Sequence, residues 1–200
     1  MKPDALTRRR VLTALLLLPA VTALPAQAAA ARKAPAPTTS AALALPLVRQ
    51  TYNNCGGASL SMILAYWGVQ ATQAQISPQV RPSPTAYMPV STIAPFAAQY
   101  GLHTTIARRA TINTVRALLA GGLPVLLLTD LTTPGEVPHW RVATGFQDAA
   151  RALIIHDPLL GYITMTYSDV QRLWDRHDHL LVVLYPPPMQ AAVNRNVVVS

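Results

Sequence analysis

The sequence predicts an α+β fold, a helical first half followed by an antiparallel second half, and three observations lead there. Between positions 55 and 120 apolar residues recur with a helical period, in segments that open on hydroxyl or amide side chains and close on glycine. From position 125 onward the apolar runs shorten, alternate and are divided by turn residues, as in hairpin-connected strands. Hydrophobic residues make up 51% of the 200 positions and charged residues 12%, which excludes a disordered polyelectrolyte and a coiled coil.

The N-terminus reads as an export leader over residues 1–28. Arg8, Arg9 and Arg10 precede an apolar run over 14–24, and Ala26-Gln27-Ala28 follows as a small-x-small cleavage site. The run is shorter than the roughly 20 apolar residues that span a bilayer, so the expectation is a cleaved signal and no stable membrane insertion afterwards. The order Thr7-Arg8-Arg9-Arg10-Val11-Leu12 resembles a twin-arginine signal, with Val11 and Thr13 in place of the usual Phe and Lys. The expected location is the periplasm or the cell exterior. Residues 29–46, rich in Ala, Pro and Thr, read as a flexible linker, residues 47–185 as one folded domain, and residues 186–200 as a flexible tail.

Within the domain the first helix is expected over 55–67. Leu60, Ile63, Leu64 and Trp67 form its apolar stripe, Asn53 or Asn54 stands at its cap and Gly68 ends it. Two more helices are expected over 91–100 and 111–120, and a helical turn over 168–174. Strands are expected over 125–128, 140–146, 152–155, 162–167 and 180–184. Without the leader the chain keeps 12 basic and 7 acidic residues, a mild excess with no basic run interleaved with aromatics, so no nucleic-acid partner is expected.

The chain holds one cysteine, Cys55, which excludes an internal disulfide. A thiol in the first turn of a helix sits where unpaired N–H groups and the helix dipole favour negative charge, as a nucleophilic thiolate requires. Gly56 and Gly57 follow it, and two glycines in a first turn imply a close approach to the backbone. Such a nucleophile needs a base. Five histidines are available, and the strands on either side of Gln147-Asp148-Ala149 favour His139. With those three residues as the loop and Phe146 paired with Ala150, His139 faces Asp157 across the hairpin, where a carboxylate can orient the imidazole. His156 then points to the other face, and His177 and His179 fall in a polar turn. A zinc site is disfavoured because His177-x-His179 has no further ligand pair nearby.

Taken together, Gln50-x4-Cys55-Gly56-Gly57-Ala58-Ser59-Leu60-Ser61-Met62, Tyr66-Trp67-Gly68, His139-Trp140-Arg141-Val142-Ala143-Thr144-Gly145-Phe146 and Asp157-Pro158 with Gly161 resemble the C39 family of papain-like cysteine peptidases, in particular its stand-alone C39-like members. The resemblance spans about 48–185. It implies a papain-like fold in which a helical part carrying the Cys packs on an antiparallel sheet carrying His and Asp. It also implies Cys55 as nucleophile, His139 as base, Asp157 as its orienting carboxylate and Gln50 as oxyanion donor. No cofactor and no metal are implied, and the partner is a peptide or protein substrate. Two departures stand out: Asn54 precedes the Cys where Asp is frequent, and Arg141 interrupts the apolar run after the His. The leading expectation is therefore an exported cysteine peptidase. The alternatives are an acyltransferase working through the same thioester, and a non-catalytic peptide-binding module; retention of all four residues argues against the latter.

Overall fold

The computed structural model describes residues 38–197. The expected leader and the first half of the expected linker, 29–37, lie outside those residues.

The chain joins the sheet earlier than expected. Ser40–Ala42 forms a short strand, β1, within the segment read as linker, and Leu45 is buried in the core, so ordered structure begins before position 47. Helix α1 (Cys55–Tyr66) starts at the thiol, and every residue from 55 to 64 is buried. It is followed by α2 (Gln73–Val80), which apolar periodicity does not reveal because Pro78 interrupts it and apolar side chains are few. A reciprocal capping box between Thr72 and Gln75 starts this helix instead. The expected 91–100 helix is a 3-10 turn, Val90–Thr92, running into α3 (Ile93–Ala98). Strand β2 (His103–Ala107) was not anticipated; its residues are mostly polar and half-buried, with Ala107 alone buried. Helix α4 (Ile112–Ala120) opens on a capping box between Thr111 and Thr114.

The second half follows the expected pattern: β3 (Val125–Asp130), β4 (Pro138–Gln147), β5 (Ala152–Asp157), β6 (Gly161–Thr166), α5 (Tyr167–Trp174) and β7 (Leu181–Tyr185). The tail departs from expectation. Gln190–Asn196 forms α6, held by the fully buried Val193. All strand pairs are antiparallel, in the order β2-β7-β3-β4-β5-β6, with β1 paired to the end of β4.

The central strands are apolar on both faces, so both faces must be covered. Leu126, Trp140, Val142, Val182 and Leu184 pack with α1, α2 and α3. Val125, Leu127, Ala143, Ile155, Leu181 and Val183 pack with α4, α5 and α6. The helices are thus divided between two layers, with the Cys-bearing α1, together with α2 and α3, packed on one face of the sheet and α4, α5 and α6 on the other.

The β4–β5 hairpin corrects the expected register. Gln147 pairs with Ala152, so the loop is residues 148–151 rather than 147–149. Phe146 pairs with Leu153 and Gly145 with Ile154, but Ala143 pairs with Ile155, which leaves Thr144 as the extra residue of a β-bulge. Beyond the bulge Val142 pairs with His156. The next step sets Arg141, not His139, opposite Asp157.

Candidate active site

The thiol, the imidazole and the carboxylate come from three element ends that meet at one end of the sheet: the first residue of α1, the start of β4 and the last residue of β5. Helix α1 is tied to β4 by Ser59, whose Oγ donates to the Trp140 carbonyl at 3.3 Å. The Trp140 indole N–H donates to the Met88 carbonyl at 3.1 Å. Met88 also accounts for Gly56, where a Cβ would stand 2.6 Å from the Met88 Cβ. At Gly57 a Cβ would collide with the Asn54 side chain and with Ser77 Oγ. The close approach expected at these glycines is therefore made by the protein's own side chains.

Asn54 occupies the cap position of α1 without capping it. Its Nδ2 donates to Gln73 Oε1 at 2.9 Å and to Thr51 Oγ1 at 3.2 Å, and its Oδ1 accepts from Ser77 Oγ at 2.6 Å. Gln73 closes the arrangement, accepting from the Thr51 N–H at 2.9 Å and donating to the Arg49 carbonyl at 2.6 Å. The segment before the thiol is thereby clamped to α2. Sequence reasoning missed Gln73; its only signal was its place directly after the capping Thr72.

His139 Nε2 donates to Asp157 Oδ1 at 2.9 Å, with the ring 3% and the carboxylate 0% exposed. That bond leaves Nδ1 for the thiol. Burial opposes the charged ring, but the hydrogen bonds and charges of Asp157 and Cys55 outweigh it and raise His139 above the ordinary histidine value. Burial likewise opposes the Asp157 carboxylate. The bond and charge of His139, the Arg141 charge and the Leu160 N–H outweigh it, and Asp157 stays below the ordinary range.

Asp157 also closes the turn between β5 and β6. Its Oδ1 accepts from the N–H groups of Leu159 at 2.8 Å and Leu160 at 2.9 Å. Gly161, at φ +97°, lets the chain re-enter the sheet opposite Asp157. Gln50 is held beside this turn, its N–H donating to the Pro158 carbonyl at 2.9 Å. The Gln50 side chain makes no hydrogen bond among the described residues, and its Oε1 is buried without a partner.

Arg141, noticed in the sequence only as an interruption, is 1% exposed and sets its Nε 3.5 Å from Asp157 Oδ2. The other histidines are engaged elsewhere. His103 bonds Gln190, His177 bonds Asp130, His179 bonds Asp175, and His156 packs edge-on against Tyr162. No group of three or more His, Cys, Asp or Glu among the described residues is placed to hold a metal ion, and no described helix is long and apolar enough to cross a membrane.

A family model for Peptidase_C39 like proteins matches residues 42–180. The chain belongs to the Peptidase_C39 like family. Solved structures share its fold. A double glycine motif protease from an AMS/PCAT transporter, solved in complex with the leader peptide, matches with a TM-score of 0.58 at 21% identity, over 73% of this chain and 94% of its own. The peptidase domain of Streptococcus ComA, a bi-functional ABC transporter, also gives 0.58 at 21%, over 70% and 97%. A Bacillus anthracis protein described as a C39-like peptidase gives 0.61 at 14%, over 72% and 96%. No curated protein matches the sequence. The fold of this Peptidase_C39 like protein is therefore α+β and of the papain-like cysteine peptidase kind, and the family and fold support a cysteine-peptidase type of function.

Proposed function

We propose that the protein is an exported cysteine peptidase that hydrolyses amide bonds through Cys55, His139 and Asp157, with Gln50 as an oxyanion donor. The observation that carries this reading is the buried His139–Asp157 bond at 2.9 Å, made where the first residue of α1, Cys55, meets the start of β4. In this reading the Cys55 thiolate attacks the substrate carbonyl carbon. His139 gives a proton to the departing amine, and water then attacks the thioester with His139 as base. The oxyanion meets the Cys55 N–H, one of the first-turn amides an α-helix leaves unpaired, and the unbonded Gln50 amide. A peptide substrate is supported by the leader peptide bound to one structural neighbour. Tyr52, Leu159 and Leu160 add large exposed apolar side chains on the segments that carry Cys55 and Asp157.

The test is mass spectrometry of the protein after brief incubation with a peptide library. The expected product is an acyl group on Cys55 that is absent in His139→Ala and disappears with time as cleaved peptide accumulates. A library left intact, with Cys55 unmodified at every pH from 5 to 9, would overturn the reading.

A further inference from the structure

Arg141 is fully buried, and each nitrogen of its guanidinium has a different environment. Nη2 donates to the carbonyls of Asp130 at 3.2 Å and Leu131 at 2.6 Å, where β3 ends. Nη1 lies 2.9 Å from the Met165 sulfur on β6. Nε has no hydrogen-bond partner and points to Asp157 Oδ2, which has none either, across 3.5 Å. Oδ1 of the same carboxylate already serves His139 and two backbone N–H groups. Among the described residues, Arg141 is therefore the only counter-charge on the side of Asp157 turned away from the imidazole. A buried carboxylate is costly to keep ionised when one of its oxygens is left uncompensated.

We propose that Arg141 is a positioning residue: fastened to the end of β3, it holds Asp157 ionised and aimed at His139, and so sets the charge state in which Cys55 reacts. This rests on the assignment of Cys55, His139 and Asp157 made above. The titratable and charged groups around the guanidinium are His139 on its own strand, Asp157 on β5, Cys55 on α1, and Asp169 and Arg172 on α5, which line the same surface cavity. The Asp130 carboxylate does not compete for Arg141, because His177 and the Gly135 N–H occupy it at 2.9 and 2.6 Å. The β3–β4 connection is thus linked to the site through one side chain.

The experiment measures the rate of Cys55 alkylation by iodoacetamide from pH 4 to 9, together with the thermal midpoint. The proteins are wild type, Arg141→Met, Arg141→Lys and His139→Ala, with Arg141→Met repeated in an Asp157→Asn background. No substrate is needed. Removing a charge that close to a carboxylate is expected to move the acid limb of the Arg141→Met profile up by about one pH unit. Arg141→Lys, which keeps the charge, should restore most of it. In the Asp157→Asn background the same substitution should leave the limb where Asp157→Asn puts it. An Arg141→Met protein with a changed midpoint of melting and a wild-type profile would show Arg141 to be structural only, with the assignment of the site intact. Should Arg141→Met not fold, Arg141→Gln, neutral but still a donor to the carbonyls, carries the same comparison. Alkylation of wild type that is indifferent to His139→Ala would instead overturn the assignment of the site, and this proposal with it.

Discussion

His139 and Asp157 are hydrogen-bonded at 2.9 Å although they are not cross-strand partners: the residue that comes opposite Asp157 is Arg141, two positions further along β4. The pair is diagonal, and it shares a face only because Thr144 bulges out between the Gly145–Ile154 and Ala143–Ile155 pairs. Carried on without the bulge, the register of the hairpin end would set Asp157 opposite Val142 and turn it away from His139.

Deleting Thr144 should therefore separate imidazole and carboxylate. The expected result is loss of His139-dependent alkylation of Cys55 at pH 6, whereas a glycine inserted in the 148–151 loop should leave it in place. Wild-type alkylation in the deletion variant would contradict the register argument.

Gln50→Ala should separate catalysis from thiol reactivity. If the Gln50 amide meets the oxyanion, its contact forms in the transition state, and kcat should fall by about 10²–10³. Alkylation of Cys55 and the melting temperature should stay near wild type. A kcat within about twofold of wild type would remove Gln50 from the mechanism.

The stability difference between wild type and Asp157→Asn should depend on pH with a maximum. Asp157 is depressed below the ordinary 3.8, so its contribution is present above that value and is lost as pH falls through the folded-state value. His139 is raised above the ordinary 6.5, so its contribution is full below 6.5 and is lost as pH rises through its folded-state value. The difference in melting temperature should thus be greatest between about pH 4 and 6.5. A difference that grows steadily above pH 7 would mean that the ring is neutral in the pair.

Asn54→Asp should destabilise the protein, although Asp is an ordinary residue at a helix cap. A carboxylate accepts only, so the bond to Gln73 Oε1 would be lost and two oxygens brought face to face, while the Thr51 hydroxyl can turn its proton to meet the new oxygen. The expected cost is about 1–3 kcal/mol, more than the ~0.3–1 kcal/mol that the helix dipole returns to an acidic cap. Thermal melting at pH 7 measures it. Recovery below about pH 4, where the acid regains a donor, would identify the cause.

Export is checked by N-terminal sequencing of protein recovered outside the cytoplasm of an exporting host. The expected start is Ala29, after Ala26-Gln27-Ala28. A start at Met1 in that fraction would remove the leader assignment.

Several features were legible because they are local. The thiol at the head of a glycine-rich helix, the stripe along α1 and the Asp-Pro turn that ends in Gly161 each declare themselves within a few residues. Elements stabilised from outside were not. Strand β1 has no pattern of its own and is ordered by pairing with β4. Helix α6 is held by the burial of Val193, and α2 carries an internal proline that its cap and neighbours overcome. Arg141 looked like a fault in an apolar strand, because the carboxylate and carbonyls that accommodate it come from β5 and the end of β3.

Spacing and residue chemistry pointed to Cys55, His139 and Asp157 as candidates and to an α+β class, since alternation along a strand and the stripe of a helix are written in consecutive residues, whereas Gln50 entered only through the family resemblance. The pairing that joins His139 to Asp157 was decided in three dimensions. The loop falls at 148–151 instead of 147–149, which moves the register by three places, and the one-residue bulge takes one back; the net shift of two preserves the face while it changes the partner. The division of the helices between the two faces of the sheet was decided in the same way. The central strands are apolar on both sides, and nothing local to α1 or α4 states which side each will cover until the whole sheet has formed.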